Sequence, residues 1–500
     1  MGEMSYPSRR DRLLLGLAWA VMAAAYLWMQ RAALSILPGD EAIYLYDGRL
    51  LAAGFEPYRD FFLAHPPMRV LVASLFSLAG STPAVIKGFD LIMFPVAAGL
   101  LALAVLHARR WWWAALAAFL FMFATLSLDI GGVYMGPGLV MPLLAGSLLA
   151  ATRRRFALAG LLLSIAGLQA TYALMPLPVL AWWAFSQRRL GQFLAGTSAF
   201  VVGYLACYAV FGMPFVDQVV LYHVAKVDAE TAAIRWGPIS YFITTEAGLL
   251  AFSAASITQS TDWGRRATIA GWLCVLVAAS YQALFIHYFA ISLPFLAAGS
   301  AMGLGGLAQR FLPKLPAIRR LAIVLFCAAL MITHLPHVLY GLDLHEQRIM
   351  QARDARTVVE AVSAHRPSSG MIWGDGSIVP LVALQSGLEI ALNMVDTNEQ
   401  RFSSGRTAPA DVVSELSALS KPPGVLLLEE HGVYMVPELR KWVETNLIEV
   451  FSIRLPAMGH VCRYYLGRDD AQAIRQQIEG RTTELKNQPT RSPSGTTGSI

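Results

Sequence analysis

PGDEAIYLYDGRLLAAGFEPYRDFFLAHPPMRVLVASLFSLAG, residues 38–80, interrupts a chain that is apolar on both sides of it. An apolar run covers residues 13–36, and the next long one starts at residue 84. Asp40 and Glu41 stand side by side just past the first run, and Tyr44 follows Asp40 by one helical turn. Gly54 ends that short helix, Pro57-Tyr58-Arg59-Asp60 brings the chain back, and His65-Pro66-Pro67 opens a second helix. Met68 to Gly80 is apolar, but its 13 residues make a helix of only about 20 Å. That is too short for a hydrocarbon core of about 30 Å. We read it as an interfacial helix on the outer face, which makes residues 37–82 one outer loop.

The rest of the chain reads outward from that loop. The apolar share is 56% and the charged share 14%, against roughly 25% charged in soluble domains, so lipid is the expected solvent. Apolar segments at 13–36, 84–107, 111–128, 139–151, 156–172, 174–186, 191–212, 238–257, 267–283, 285–306 and 321–340 give about eleven spans. The first is read as an uncleaved anchor, because it runs past the length of a signal-peptide core. The basic clusters (Arg9/Arg10/Arg12, Arg109/Arg110, Arg153–Arg155, Arg188/Arg189, Arg265/Arg266 and Arg310–Arg320) then all fall on one side. That side is the cytoplasm, together with the N-terminus. The net charge of +6 is accounted for by these clusters and gives no reason to expect nucleic acid. Three of the four cysteines lie in apolar runs and no Cys/His spacing suggests a metal centre.

After Tyr340 the texture changes. Residues 344–364 read as a helix. Strand-like runs follow at Met371–Trp373, Gly424–Leu428, Ile448–Ile453 and Val461–Leu466, with helical stretches near 411–420 and 437–446. The expected organisation is a polytopic α-helical membrane module over 1–340, a small extracytoplasmic α/β domain over 341–468, and a polar, disordered tail over 469–500.

The chemistry concentrates in the first loop. Transfer of a glycosyl group at a membrane needs a carboxylate to take the acceptor's proton and cations to steady the departing phosphate. Residues Asp40 to His65 supply both within 26 positions. The order D-E-x-x-Y, G-x-x-x-x-x-G, P-Y-x-D, H-P-P resembles the first loop of membrane glycosyltransferases of the GT-C superfamily. The branch of protein O-mannosyltransferases and lipid A aminoarabinose transferases is the most similar. The resemblance extends more weakly over the spans and does not cover the C-terminal domain.

This resemblance implies a GT-C-like fold and an inverting displacement on a polyprenyl-phosphate-linked sugar donor, with or without a divalent metal ion. It implies a lipid, glycan or protein acceptor and a site in the bacterial inner or plasma membrane. Asp40 would be the base, with Glu41 beside it. His65, ahead of Pro-Pro, would meet the donor phosphate together with Arg59, and Lys87 stands near the place of a family arginine. Tyr44, Asp60, Asp129 in LSLDIGGVYMGPG, and the pair His287-Tyr288 would complete the substrate site.

Each residue also has a plainer reading. Asp40 could cap a helix and Glu41 answer its dipole; Arg59–Asp60 and Lys87–Asp90 could be ion pairs. His65 could be a loop residue, Asp129 a water-boundary marker, and His287-Tyr288 part of an aromatic belt. The fourth outer loop, Met213 to Gly237, carries Tyr222, His223, Lys226, Asp228, Glu230 and Arg235 and either covers the site, binds the acceptor, or is a solvated amphipathic face. Two rival classes are a transporter, disfavoured because the spans are nearly free of ionisable groups, and a membrane scaffold, which leaves the polar first loop unexplained.

Overall fold

Ser8 accepts the backbone N–H of Asp11 and so starts α1 (Arg9–Met29) in a computed structural model that describes residues 8–225, 236–259, 262–281, 284–311 and 316–476. The first loop folds into two short helices, α2 (Asp40–Ala52) and α3 (Met68–Leu78). Pro83 at its first turn starts α4 (Pro83–Leu106), whose interior Pro95 accepts the Trp19 indole N–H through its carbonyl at 2.9 Å. Next comes α5 (Trp111–Met122). The expected span 111–128 breaks after it: Ala124 is extended and a separate turn of helix runs Thr125–Ile130. The buried Glu246 carboxylate accepts the Leu126 N–H at that turn (3.0 Å).

Each of the eleven expected segments is mainly helical over its described residues. Among the described residues four helices are long and apolar enough to cross a membrane: Arg9–Met29, Pro83–Leu106, Leu190–Phe211 and Ile286–Gln309. Shorter apolar helices, including Pro137–Thr152 and Phe156–Gln169, lie between them, and the chain is an integral membrane protein. α3 is one of the short ones. It buries Val70, Ala73 and Ser74 against the protein and leaves Leu71, Leu75 and Leu78 exposed, the one-sided apolar exposure of a helix lying in an interface.

The last span and the following helix are one element in the structure. Pro316–Ala364 is a single 49-residue helix with Pro336 inside it, and it continues straight through Tyr340. It delivers the chain into a five-stranded sheet of order β2-β1-β3-β5-β4, made of β1 (Met371–Gly374), β2 (Glu389–Ile390), β3 (Gly424–Leu428), β4 (Ile448–Leu455) and β5 (His460–Leu466). β2, β1 and β3 are parallel, and β5 and β4 are antiparallel additions. β2, only two residues long, is the strand that the sequence pattern does not reveal.

The sheet domain does not hang free of the first loop. One apolar cluster contains Ile36, Tyr46, Leu50 and Tyr58 of the loop together with Ile372, Leu381, Leu426 and Tyr464 of the domain. Polar contacts fix the register of this joint. The Gly39 N–H donates to Ser377 O (2.7 Å) and the Ile390 N–H to the Tyr46 hydroxyl (3.0 Å). Arg406 of the domain also pairs with Asp217, which belongs to the segment Met213 to Gly237.

Candidate functional site

The joint encloses a cavity of about 360 Å³. Gly39, at φ +118°, turns the chain into α2 in a conformation that an L side chain resists, so Asp40 falls on the first helical position and Gly39 on the cap position. Asp40 lines the cavity, and Tyr44 lines it one turn on. Tyr44 is half-buried, and its partial loss of water holds its phenol well above the ordinary range. Tyr58 is held at φ +68° by its N–H to Phe61 O (2.9 Å) and by its hydroxyl to His65 O (2.8 Å). A bulky residue in the left-handed region stores strain. Here the strain sets the turn that presents His65 to the cavity.

Arg69, on the first turn of α3, was not among the residues that the sequence singled out. It lines the cavity, is only 2% exposed, and lies with its guanidinium 4.2 Å from the centre of the Tyr44 ring. Its Nε is buried without a hydrogen-bond partner, and among the described residues no carboxylate stands within ion-pair distance of it. The signal available in the sequence was an arginine in an otherwise apolar helix, four residues past His65.

His287 and Tyr288 also reach the cavity, on a tight helical turn at Ile286–Ser292, where Tyr288 packs on Tyr172 (4.7 Å between ring centres). From the fourth outer loop, Tyr222 and His223 line it, and His223 Nε2 sits 2.7 Å from Ala64 O. Lys226, Asp228, Glu230 and Arg235 of that loop lie outside the described residues. A second, larger cavity of about 710 Å³ adjoins the first and shares Ala64, His65, Tyr172, His223 and Tyr288 with it. Its remaining lining is mainly apolar and aromatic, including Pro66, Phe200, Tyr204, Val219, Val220 and Val224.

The other expected residues go elsewhere. Glu41 is buried and does not line the cavity. It pairs with Lys87 (2.6 Å) and accepts the N–H groups of Leu37 and Tyr134. Lys87 is fully enclosed, bonded to Glu41 and to Ser35 O, so it is a structural cation paired with Glu41 and not with Asp90. Arg59 is half exposed, pairs with Glu56 (2.5 Å) and donates to Val210 O, while Asp60 accepts the Glu56 N–H (2.7 Å). Asp129 accepts from the hydroxyls of Tyr241 (2.9 Å) and Tyr340. None of Arg59, Asp60, Lys87 and Asp129 lines the cavity. The spans also carry more buried ionisable groups than their composition suggested: Lys87, Asp90 and Glu246 are all enclosed. Among the described residues no group of three or more His, Cys, Asp or Glu is close enough to hold a metal ion.

No family model matches this chain, and no curated protein matches it in sequence. Solved structures do. The chain is similar to ArnT from Cupriavidus metallidurans in the apo state, with TM-score 0.59 and 14% identity over 90% of this chain and 97% of that one. It is equally similar to that ArnT bound to undecaprenyl phosphate, with TM-score 0.58 and 13% identity over 90% and 98% of the two chains. The arabinofuranosyltransferase AftD from Mycobacteria aligns at TM-score 0.49 and 15% identity over 93% of this chain and 42% of its own. The chain thus has the fold of the two ArnT structures, in line with the fold expected from the first loop.

Proposed function

We propose that the protein is a membrane glycosyltransferase that moves a hexose or pentose from a polyprenyl-phosphate carrier to an acceptor hydroxyl. The observation that carries this reading is Arg69: a buried guanidinium whose Nε has no hydrogen-bond partner and which makes no ion-pair contact among the described residues, lining a cavity beside Asp40. An enclosed charge with no carboxylate in direct contact is costly, and a guanidinium fork matches a phosphate. An anionic substrate end would supply the missing charge. His65 stands at the boundary shared with the apolar cavity, where a lipid phosphate meets the chain that bears it. That ArnT, of the same fold, binds undecaprenyl phosphate supports this choice of anion.

In this reading the polyprenyl tail occupies the 710 Å³ cavity and the phosphate meets Arg69 and His65. The acceptor oxygen attacks the anomeric carbon in line, the bond from that carbon to the phosphate oxygen breaks, and polyprenyl phosphate leaves with the electron pair. Asp40 takes the acceptor's proton, and the anomeric configuration inverts. The N-terminus faces the cytoplasm and the sheet domain lies outside a bacterial inner membrane, consistent with the one-sided arginine clusters.

Asp40→Asn tests the centre of this reading. Asn keeps the size and the polar helix start but cannot take a proton. With undecaprenyl-phosphate-linked sugars as donors, turnover should fall roughly 10²–10⁴-fold, while yield and undecaprenyl phosphate affinity hold. Near-normal turnover removes Asp40 from the role of base.

A further inference from the structure

Beside Asp40 part of the cavity wall is built by the sheet domain, from the loops that leave the carboxyl ends of the parallel strands β1 and β3, the edge at which open α/β sheets bind ligands. The loop after β1 carries Asp375 and the loop after β3 carries His431; both line the cavity. Asp375 is fully buried, and both its oxygens are used. Oδ1 accepts the Ser377 N–H (2.9 Å) and Oδ2 accepts from His431 Nδ1 (2.9 Å). Gly432, at φ +48°, makes that approach possible, since a Cβ there would collide with Asp375 Oδ2. With Nδ1–H committed to Asp375, the imidazole presents Nε2 as its remaining group. The side chain of His431 is 43% exposed, so a ligand can reach it.

The two walls differ in chemistry. Arg69, His65, His223 and His287 come from the membrane module, whose one lining carboxylate is Asp40, whereas Asp396, Asn398, Glu399 and Glu430 accompany His431 on the domain side. A phosphate is repelled by the carboxylate wall and attracted by the other. Carboxylate and amide oxygens with one oriented imidazole match a neutral, hydroxyl-rich ligand, whose O–H groups give charge-assisted hydrogen bonds. The Gly39 N–H to Ser377 O bond ties the start of α2 to the loop of Asp375, so the hydroxyl holder and Asp40 keep a fixed separation.

We propose that the sheet domain forms the acceptor subsite for a saccharide, with His431 Nε2 accepting a hydrogen bond from an acceptor hydroxyl and Asp375 positioning the imidazole. This rests on the transferase reading for the word acceptor, but the saccharide subsite stands on its own geometry. His431 is faced by Asp375, by His460 (5.4 Å between rings), and by the charges of Glu399 and Asp40, with Glu429 and Glu430 adjacent in sequence. The Asp375 hydrogen bond raises the imidazole above its ordinary value, against the opposing effect of burial. Protonated Nε2 can only donate, so saccharide binding should weaken as the pH falls through the titration of His431.

The test uses the full chain in lipid nanodiscs, with binding of a panel of methyl glycosides of common hexoses and pentoses read by saturation-transfer NMR between pH 5 and 9. At least one glycoside should bind the wild type and weaken towards acid. His431→Gln should bind it at least roughly 10-fold more weakly, the loss of about one hydrogen bond to a charged or oriented partner, and without the acid limb. Asp375→Asn should move that limb to lower pH, which a merely structural role would not do. Undecaprenyl phosphate binding, measured on the same samples, reports folding of the variants and the donor reading separately. If the lipid fails to bind the wild type while a glycoside binds through His431, the transferase reading falls and the saccharide subsite stands. No glycoside binding, or His431→Gln binding with wild-type affinity and pH dependence, overturns the subsite.

Discussion

Two buried cations, Arg69 and Lys87, should respond to removal in opposite ways. Arg69→Met keeps an unbranched apolar stem on the Tyr44 ring and deletes a charge that has no ion-pair partner among the described residues. No carboxylate loses an ion-pair contact, and the desolvation cost of the guanidinium disappears; against this stands the lost attraction between Arg69 and the buried Asp90, so stability should change by less than it does when a contacting ion pair is broken. If the guanidinium meets the donor phosphate, its loss removes one hydrogen bond to a charged group, worth about 1.5–3 kcal/mol, or roughly a 10- to 150-fold weaker affinity. Undecaprenyl phosphate titrated into wild type and Arg69→Met in nanodiscs measures this directly, with thermal unfolding of the same samples beside it. Wild-type affinity in Arg69→Met would refute the phosphate assignment. A large drop in stability would refute the claim that this arginine is unsatisfied in the free protein.

Lys87→Met should show the reverse. Glu41 is left buried and uncompensated, and stability should drop by about 3–5 kcal/mol, while Lys87→Arg recovers part of it; an unchanged unfolding temperature would show that the pair is not the structural tie described above. For topology, a reporter fused after Tyr340 should be active outside the cytoplasm and one fused after Arg110 inside. The opposite result at both points would reverse the membrane orientation and place the cavity on the other face.

Much of the fold was legible in the residues. Lipid as solvent, the helical segments and most of the strands followed from composition and period, because burial in hydrocarbon or in a sheet imposes its pattern on every residue locally. Asp40, Tyr44, His65, His287 and Tyr288 were legible too, because the first loop resembles a known arrangement, and the structure brings all five to one cavity. Residue type could not say which of two neighbouring carboxylates faces the cavity. Asp40 does, while Glu41, a residue on and rotated by about 100° around the helix, is drawn inward by Lys87, 46 positions away. Nor could the sequence show Arg69 as a buried cation with no carboxylate in contact, since that is a property of all the surroundings at once. The domain's part in the site was invisible for the same reason. Asp375 and His431 lie 56 positions apart, and parallel strands with a glycine between bulky neighbours bring them into contact. The shared apolar core then carries both to Asp40, more than 300 positions earlier in the chain. Local pattern fixes what each segment is; only close packing fixes which segments meet, because the energy that selects a contact is the burial of both partners together.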